Sequence, residues 1–457
     1  MMAKFNTSCP SGFPEWTPAQ ERVAQKWIAT IRDVFEKNGF MPITTPLVER
    51  EENLLSKGGN PKEMYVLKRI LDEEGDSSHS GNALRFDHTV PLALYVARHF
   101  NELSFPFRRY AIGPVLRGER AQKGRFRQFD QCDIDVVGSE NLSLKNDAMV
   151  AAVIIQIFER LMPEQKFIVR INNRKILTGI ANFLNISSQK FLEIWDHREK
   201  VTGEEFNKKL NELVPSGKKE KFREICDFAI TQKKNPNVWH SSDWENWFDV
   251  HKTFGMLNKE SAEGAEELIT VCRILRNDLG ISPKQFEPDF SIARGLDYYT
   301  GTVYETHLVG YESLGSICSG GRYDDLAEVF TGKKLPGVGI SIGLTRLLSQ
   351  LFEAKLIDVD RSSPSEILIV SASEKAEKEC LALSSQIRSW GYPVENYLED
   401  KKLAKQFDYA NKLGIPYVIV VGEDELNKKC VQLKNMKIGD QEEISRDTLQ
   451  AVLEKKL

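Results

Sequence analysis

The sequence predicts a mixed α+β chain of two unequal parts: a strand-rich core interrupted by a helical block, and a small C-terminal α/β domain. Three observations carry this. Segments 107–118 and 125–138, and the later run "FSIARGLDYYTGTVYETHLVG" from residue 290, alternate as strands do. Between them, residues 172 to 288 are charged, lysine-rich and helical in pattern, and hold Trp195, Trp239, Trp244 and Trp247. Beyond "DVDRSSPSE" at 358–366, short apolar runs alternate with helical patterns.

From the N-terminus, Thr17 caps a helix that reaches Lys37, with Pro18 at its first position and an apolar stripe through Val23, Trp27, Ile31 and Phe35. Gly39 ends it, and "FMPITTPLVE" continues extended, with Pro46 near its end. In "MYVLKRILDEEGDSSHSGNALRF" a polar centre separates two apolar runs, which predicts a hairpin with a long mobile tip. A helix follows over Thr89–Phe100, then two strands joined by the basic loop "ERAQKG". "GVGISIGLTRLLSQLF" from Gly337 reads as a buried strand entering a helix, and 358–364 as a linker. In the C-terminal part, strands "ILIVSA", near Val394, "YVIVVG" and "CVQLK" alternate with helices, which predicts a largely parallel sheet.

Composition narrows the function. Hydrophobic residues make up 41% and charged residues 28% of 457, as in ordinary globular chains. No apolar run approaches the roughly 20 residues that span a bilayer, and the first 16 residues lack the apolar core of a secretory signal, so a cytoplasmic location is expected. The seven cysteines form no CxxC pair and the seven histidines no HxxxH pattern, so the cysteines are expected to be reduced thiols in or near the core, and a zinc site is not expected. The net charge is −4, so any nucleic-acid binding must use local patches. One lies between Arg108 and Arg127, where seven Lys and Arg residues face a single acid, Glu119. Its arginines alternate with apolar and glycine positions, which favours phosphate or nucleotide work over a solvated face.

Four segments carry polar groups that a plain core would reject. In "LRFDHTVP" (84–91), Asp87 and Thr89 share a side if the segment is extended and would suit an ammonium group, with a helix cap as the alternative; His88 points away and is expected to be structural. In 109–137, Arg117, Glu119 and Arg125 precede Gln131, Asp133 and Asp135, which alternate onto one strand face. Arginine's planar fork suits phosphate, and buried carboxylates need partners. "RGLDYYTGTVYE" (294–305) and "CSGGRYDDL" (318–326) crowd Arg294, Tyr298, Tyr299, Arg322 and Tyr323 beside two glycines. "PGVGISIGLTRLL" has a spacing unlike a dinucleotide loop; its glycines make room in a strand against a ligand, with Arg346 opening the next helix.

In this order, the segments resemble the class II aminoacyl-tRNA synthetases, and specifically the histidyl enzymes, over essentially the whole chain. "GFMPITTPLVE", "PVLRGERAQKGRFRQFDQCDIDVVG" and "GVGISIGLTRLL" are similar to the three class motifs, while "RGLDYYTGTVYE" and "CSGGRYDDL" are similar to the segments peculiar to the histidine enzymes. The resemblance implies an antiparallel sheet flanked by helices as catalytic core (1–171 and 289–357), a helical insertion (172–288) and an anticodon-binding domain (365–457). It implies ATP with Mg2+, L-histidine and tRNA(His) as ligands, and a homodimer with Pro46 at its interface. Asp87, Thr89 and Gln131 would hold the α-ammonium, Asp135 and Tyr299 the imidazole, with Tyr298 lining the same pocket. Arg117 would bind the carboxylate and α-phosphate, Arg125 and Arg346 the outer phosphates and adenine, with Glu119 beside the adenine, and Arg294 would be the distinctive catalytic cation. Asp87, Asp135 and Thr345 stand where the family often has glutamate. The rival reading is a catalytically silent histidine sensor on the same core. Such proteins tend to lose the specific arginine or the anticodon domain, whereas this sequence keeps Arg117, Arg294, Arg346 and a full C-terminal part.

Overall fold

The structure is a computed structural model and describes residues 6–56, 61–68, 81–122, 124–196, 212–234, 250, 252–293, 299–325, 328–359 and 361–457. Among them, one compact unit runs to Pro14 and from Trp27 to Glu353; a second takes Glu15–Lys26 and Ala354–Leu457.

Helix Pro18–Lys37 starts as its sequence requires. The Gln20 N–H bonds Thr17 Oγ1 at 3.4 Å and the Thr17 N–H bonds Gln20 Oε1 at 3.0 Å, a reciprocal cap. Gly39, at φ +78°, turns the chain out of it. Strands β1 (Met41–Pro42) and β2 (Val48–Arg50) form within the extended segment. The expected hairpin is present, with Val66 bridged to Ala83 of β3 (Asn82–Leu84) and β3 also paired to β2; its tip, 69–80, lies outside the described residues. Helix Thr89–His99 leads to the expected strand pair, β4 (Phe107–Leu116) and β5 (Gln128–Val137). After helix Lys145–Leu161 come β6 (Phe167–Asn173) and the helical block, with Arg174–Leu184, Ser188–Asp196, Lys219–Lys234 and Lys259–Arg273. Trp195 is buried there, its indole N–H donating to the Phe290 carbonyl at 3.0 Å; Trp239, Trp244 and Trp247 lie outside the described residues.

The chain then returns through β7 (Phe286–Pro288), β8 (Thr302–Leu308), β9 (Cys318–Tyr323) and β10 (Gly337–Gly343) into helix Leu344–Glu353. These strands complete an eight-stranded sheet in the order β1-β4-β5-β10-β9-β8-β6-β7, antiparallel except at its β1–β4 and β6–β7 edges. One face, with Ile134, Val136, Val338 and Ile342, is buried, and helix Lys145–Leu161 packs on this side. Arg322 reaches that helix rather than a ligand: its Nε and Nη2 hold both Asp147 oxygens, at 3.0 and 2.5 Å. The strand after the "RGLDYY" run begins later than its alternation suggests, at Thr302, so Tyr299 lies in the approach to the strand.

In the C-terminal unit, β11 (Ile367–Ser371), β12 (Val394–Asn396), β13 (Tyr417–Val421), β14 (Cys430–Asn435) and β15 (Gln441–Ser445) form one sheet, ordered β12-β11-β13-β14-β15. It is less parallel than expected: β11 pairs parallel with β12 and β13, whereas β13–β14 and β14–β15 are antiparallel. The connection from β13 to β14 holds one short helix, Glu423–Lys428, and β15 is a strand whose exposed, acidic residues hide its alternation. Five cysteines are buried as expected, but Cys9 is exposed, outside any core.

Candidate active site

The register of the large sheet builds the site. Residues directly across neighbouring antiparallel strands share a face. Asp135 on β5 therefore stands between Arg109 on β4 and Gly339 on β10, which in turn faces Gly321 on β9. The next row is Ala111, Asp133, Ser341 and Ser319, and the next Gly113, Gln131 and Gly343. One face of the sheet thus carries a column of polar side chains from β5 flanked on the β10 side by Gly339, Ser341 and Gly343. The close approach is real at Gly339, where a Cβ would overlap the Asp135 carboxylate, and at Gly321, where one would stand 2.8 Å from the Tyr299 ring. The glycines of the "PGVG" and "SGG" runs make room, but for the protein's own acid and aromatic ring.

Two neighbouring spaces, both lined by Ser341, lie on this face. The outer cleft, about 360 Å³, is lined by Arg117, Glu119, Arg125, Gln131 and Arg346, together with the Phe126 and Phe129 rings and Ser341. Three cations face one acid there, and that acid, Glu119, is already paired with Arg125. Arg117 is fixed by an Nε–H bond to the Phe86 carbonyl at 3.0 Å and lies 5.2 Å over the Phe129 ring. Arg346, on helix Leu344–Glu353, is tied to the Leu314 carbonyl at 3.3 Å. Thr345 Oγ1 accepts the Asp130 N–H at 2.8 Å, which joins this helix to β5. The cleft suits an elongated polyanion with a flat ring.

The inner pocket is lined by Thr89, Asp133, Asp135, Tyr299, Tyr323 and Ser341, and holds only about 10 Å³. Gln131 marks its border with the cleft, donating from Nε2 to Ser341 Oγ at 3.0 Å. Asp135 is held on both oxygens, by Arg109 Nη2 at 2.5 Å and the Tyr323 hydroxyl at 2.9 Å. Burial outweighs the Arg109 charge and pushes Asp135 up to about 7; burial likewise pushes Asp133 up to about 6. His88 is buried and, through desolvation, brought down to about 3, so the neutral ring sits with Nε2 3.1 Å from the Gly113 carbonyl.

The residues singled out in the sequence largely converge. Arg117, Glu119, Arg125, Gln131 and Arg346 share the cleft, and Thr89, Asp135 and Tyr299 the pocket. Asp87 is arranged differently: His88 is in the αR region, so the segment turns rather than extends, and Asp87 Oδ1 accepts the Val90 N–H at 3.0 Å as a helix cap. It stands close enough to raise the Asp135 pKa, but lines neither space. Pro46 is exposed between β1 and β2, and Arg294 and Tyr298 lie outside the described residues. Sequence reasoning missed the roles of Arg109, Tyr323 and Ser341 around Asp135. The signal was the strand register, which pairs Arg109 and Gly339 with Asp135 and which no single segment displays.

A pH effect follows from Asp133. Its folded-state pKa of about 6 exceeds the unfolded value, so its contribution to stability is fully present below about pH 4 and is lost as pH rises through 6. Asp133→Asn should therefore gain stability relative to the parent chain between pH 5 and pH 8, by about 2 kcal/mol in urea unfolding. A difference that stays constant with pH would contradict this.

Residues 12–347 match the family model described as Histidyl-tRNA synthetase, and residues 366–456 the one described as Anticodon binding domain. A histidine–tRNA ligase of Nostoc sp. (strain PCC 7120) is 44% identical over 470 residues, covering 99% of each chain. The crystal structure of histidyl-tRNA synthetase from Nostoc sp. PCC 7120 aligns with a TM-score of 0.86 and 41% identity, over 99% of this chain and 100% of that one. A Bacillus halodurans ATP phosphoribosyltransferase regulatory subunit/histidyl-tRNA synthetase aligns with a TM-score of 0.70 at 17% identity, over 92% of this chain and 99% of that one, and shares the fold alone. With an arginine-lined cleft opening beside an acid-floored pocket on one face of its sheet, and with matches of this extent, the chain belongs to the histidyl-tRNA synthetase family.

Proposed function

We propose that the chain is a histidine–tRNA ligase that activates L-histidine with ATP and passes it to the 3' end of tRNA(His). The observation that carries this is the adjacency of the two spaces through Gln131 and Ser341. A carboxylate held at that border stands next to whatever occupies the arginine cleft. Activation joins a carboxylate oxygen of histidine to the α-phosphorus of ATP and expels pyrophosphate; a terminal ribose hydroxyl of the tRNA then takes the acyl group and AMP leaves. The protein supplies no nucleophile, so its work is to align two anions and stabilise charge on the phosphoryl oxygens.

Arg117, at the border, binds the reacting carboxylate and α-phosphate; Arg125 and Arg346 take the outer phosphates and adenine, with Glu119 beside the base. Thr89 and Gln131 receive the α-ammonium, with Asp87 contributing its field from behind. Asp135 and Tyr299 receive the imidazole; the family resemblance assigns Tyr298 to the same pocket and Arg294 to the reacting phosphate, and both lie outside the described residues. A pocket of about 10 Å³ must open by side-chain movement to admit an imidazole. Among the described residues no three carboxylate, histidine or cysteine side chains converge as a metal cage. Mg2+, which binds through phosphates and one or two carboxylates, therefore fits as an ion carried in by ATP. Binding of tRNA falls to the loop around Gln122, the insertion (172–288) and the anticodon-binding domain (365–457), beyond the linker 358–364.

A homodimer is part of this reading. Met41, Leu47, Val48, Leu55, Val66 and Leu67 are large apolar side chains exposed in and around the Pro46 segment, the kind of patch that a second copy covers. The place of work is the cytoplasm; among the described residues no helix is long and apolar enough to cross a membrane.

Histidine-dependent charging of tRNA(His) tests the whole activity. Asp135→Ala should raise the histidine KM by about tenfold or more, since a buried charged hydrogen bond is lost, while the ATP KM barely moves. An unaltered histidine KM would remove Asp135 from the pocket.

A further inference from the structure

We infer that Asp133 is a further specificity-determining residue of the amino-acid pocket, the carboxylate that receives the substrate's ammonium together with the neutral groups Thr89 and Gln131. The inference rests on reading the inner pocket as the histidine site. Asp133 is 3% exposed, lines the inner pocket and sits between Gln131 and Asp135 on the same face of β5. Its Oδ1 is buried and has no hydrogen-bond partner. A carboxylate oxygen in that state is among the least favourable groups a protein can bury, unless a cation arrives.

The local charge is arranged for one. Arg109 pairs with Asp135 through Nη2 and also acts on Asp133 through its field, while its buried Nε and Nη1 make no hydrogen bond; Arg85 donates to the Pro114 and Thr45 carbonyls at 2.9 and 2.8 Å. The charged groups around the pocket floor are thus three buried acids, Asp87, Asp133 and Asp135, and two buried cations, Arg85 and Arg109. Arg117 acts on Asp133 through its field from the cleft side, His88 is neutral, and the Tyr323 hydroxyl bonds Asp135. Acids outnumber cations on the floor, and the carboxylate with an open oxygen is Asp133. An α-ammonium supplies one positive charge and three N–H donors. Ser341, directly across on β10, and Gln131 complete its surroundings with neutral polar groups. Asp87, by contrast, spends Oδ1 on the Val90 N–H.

The test separates the ammonium from the imidazole by using two ligands. Histidinol keeps both groups; imidazolepropionate keeps the ring and carboxylate but lacks the ammonium. Calorimetric titration of the full-length parent chain, Asp133→Asn and Asp133→Ser with each ligand is the experiment. Histidinol affinity should fall about ten- to a hundredfold in both variants, as expected for loss of a charge-assisted bond, while imidazolepropionate affinity stays within about twofold of the parent. Equal losses for both ligands would overturn the inference, because Asp133 would then shape the pocket as a whole. So would unchanged histidinol affinity. A parent chain that binds neither histidinol nor histidine would overturn the pocket reading and this inference with it, an outcome that the other two cannot produce. Cooperative urea unfolding, with stability no lower than the parent's, and unchanged ATP binding of the variants establish that a selective loss is local.

Discussion

Replacing Arg117 by alanine is expected to lower the rate of histidine activation on the order of 10²–10³-fold, the range found when one fixed donor to a developing oxyanion is removed. The geometry makes this the largest effect on chemistry among the described residues. Arg117 lines the cleft that Gln131 and Ser341 also line, pinned by its Nε bond to Phe86 and stacked over Phe129. A guanidinium offers a planar pair of donors whose geometry is set before the reaction starts. Arg117→Lys should recover only part of the rate, because a point charge does not reproduce a planar fork. Stopped-flow measurement of adenylate formation with both substrates saturating checks this. A loss confined to KM would mean that Arg117 binds substrate and transition state equally.

The second large effect concerns stability. Arg109→Met should destabilise the core by about 3–5 kcal/mol, the range for removing one partner of a buried ion pair. Arg109 is completely buried, and its Nη2 lies 2.5 Å from Asp135, itself 2% exposed. Without that cation Asp135 has the Tyr323 hydroxyl but no counter-charge close by. The stranded carboxylate is relieved by taking up a proton, so the loss should be smaller at pH 5 than at pH 8. Combining Arg109→Met with Asp135→Leu should recover much of the stability, since an apolar pair of similar volume often matches a buried ion pair, while histidine binding stays lost. Urea unfolding of the two variants at both pH values is the measurement. Equal destabilisation by the single and double variants would show that shape, not charge, sets the cost.

Much of this was legible in the sequence because it is local. The cap at Thr17, the turn at Gly39 and the alternation of β4 and β5 depend on neighbours within a few residues. Gln131, Asp133 and Asp135 could be placed on one face by counting in twos, and Arg117, Glu119 and Arg125 were marked by their density in a short stretch. What was not legible depends on pairing between distant segments. Only the register puts Arg109 and Gly339 on either side of Asp135 and brings Tyr323 to its other oxygen. Asp87 misled by its spacing from Thr89: that argument assumes an extended backbone, and the chain turns at His88 instead. Arg322 stood among site-like residues, yet its strand face carries it to Asp147, since a position one residue from Tyr323 points to the opposite side of the sheet. In the C-terminal unit, polar β15 lacks the apolar alternation that marks a strand, so the antiparallel half of that sheet stayed hidden.

The central claim is that one face of the sheet holds a histidine carboxylate against the α-phosphorus of ATP. Histidine-dependent exchange of labelled pyrophosphate into ATP, measured without tRNA, tests it most directly. The account predicts robust exchange that requires L-histidine and Mg2+ and falls steeply in Arg117→Ala. Histidine binding without exchange above background would contradict it, and would identify the chain as a sensor of histidine on a synthetase fold.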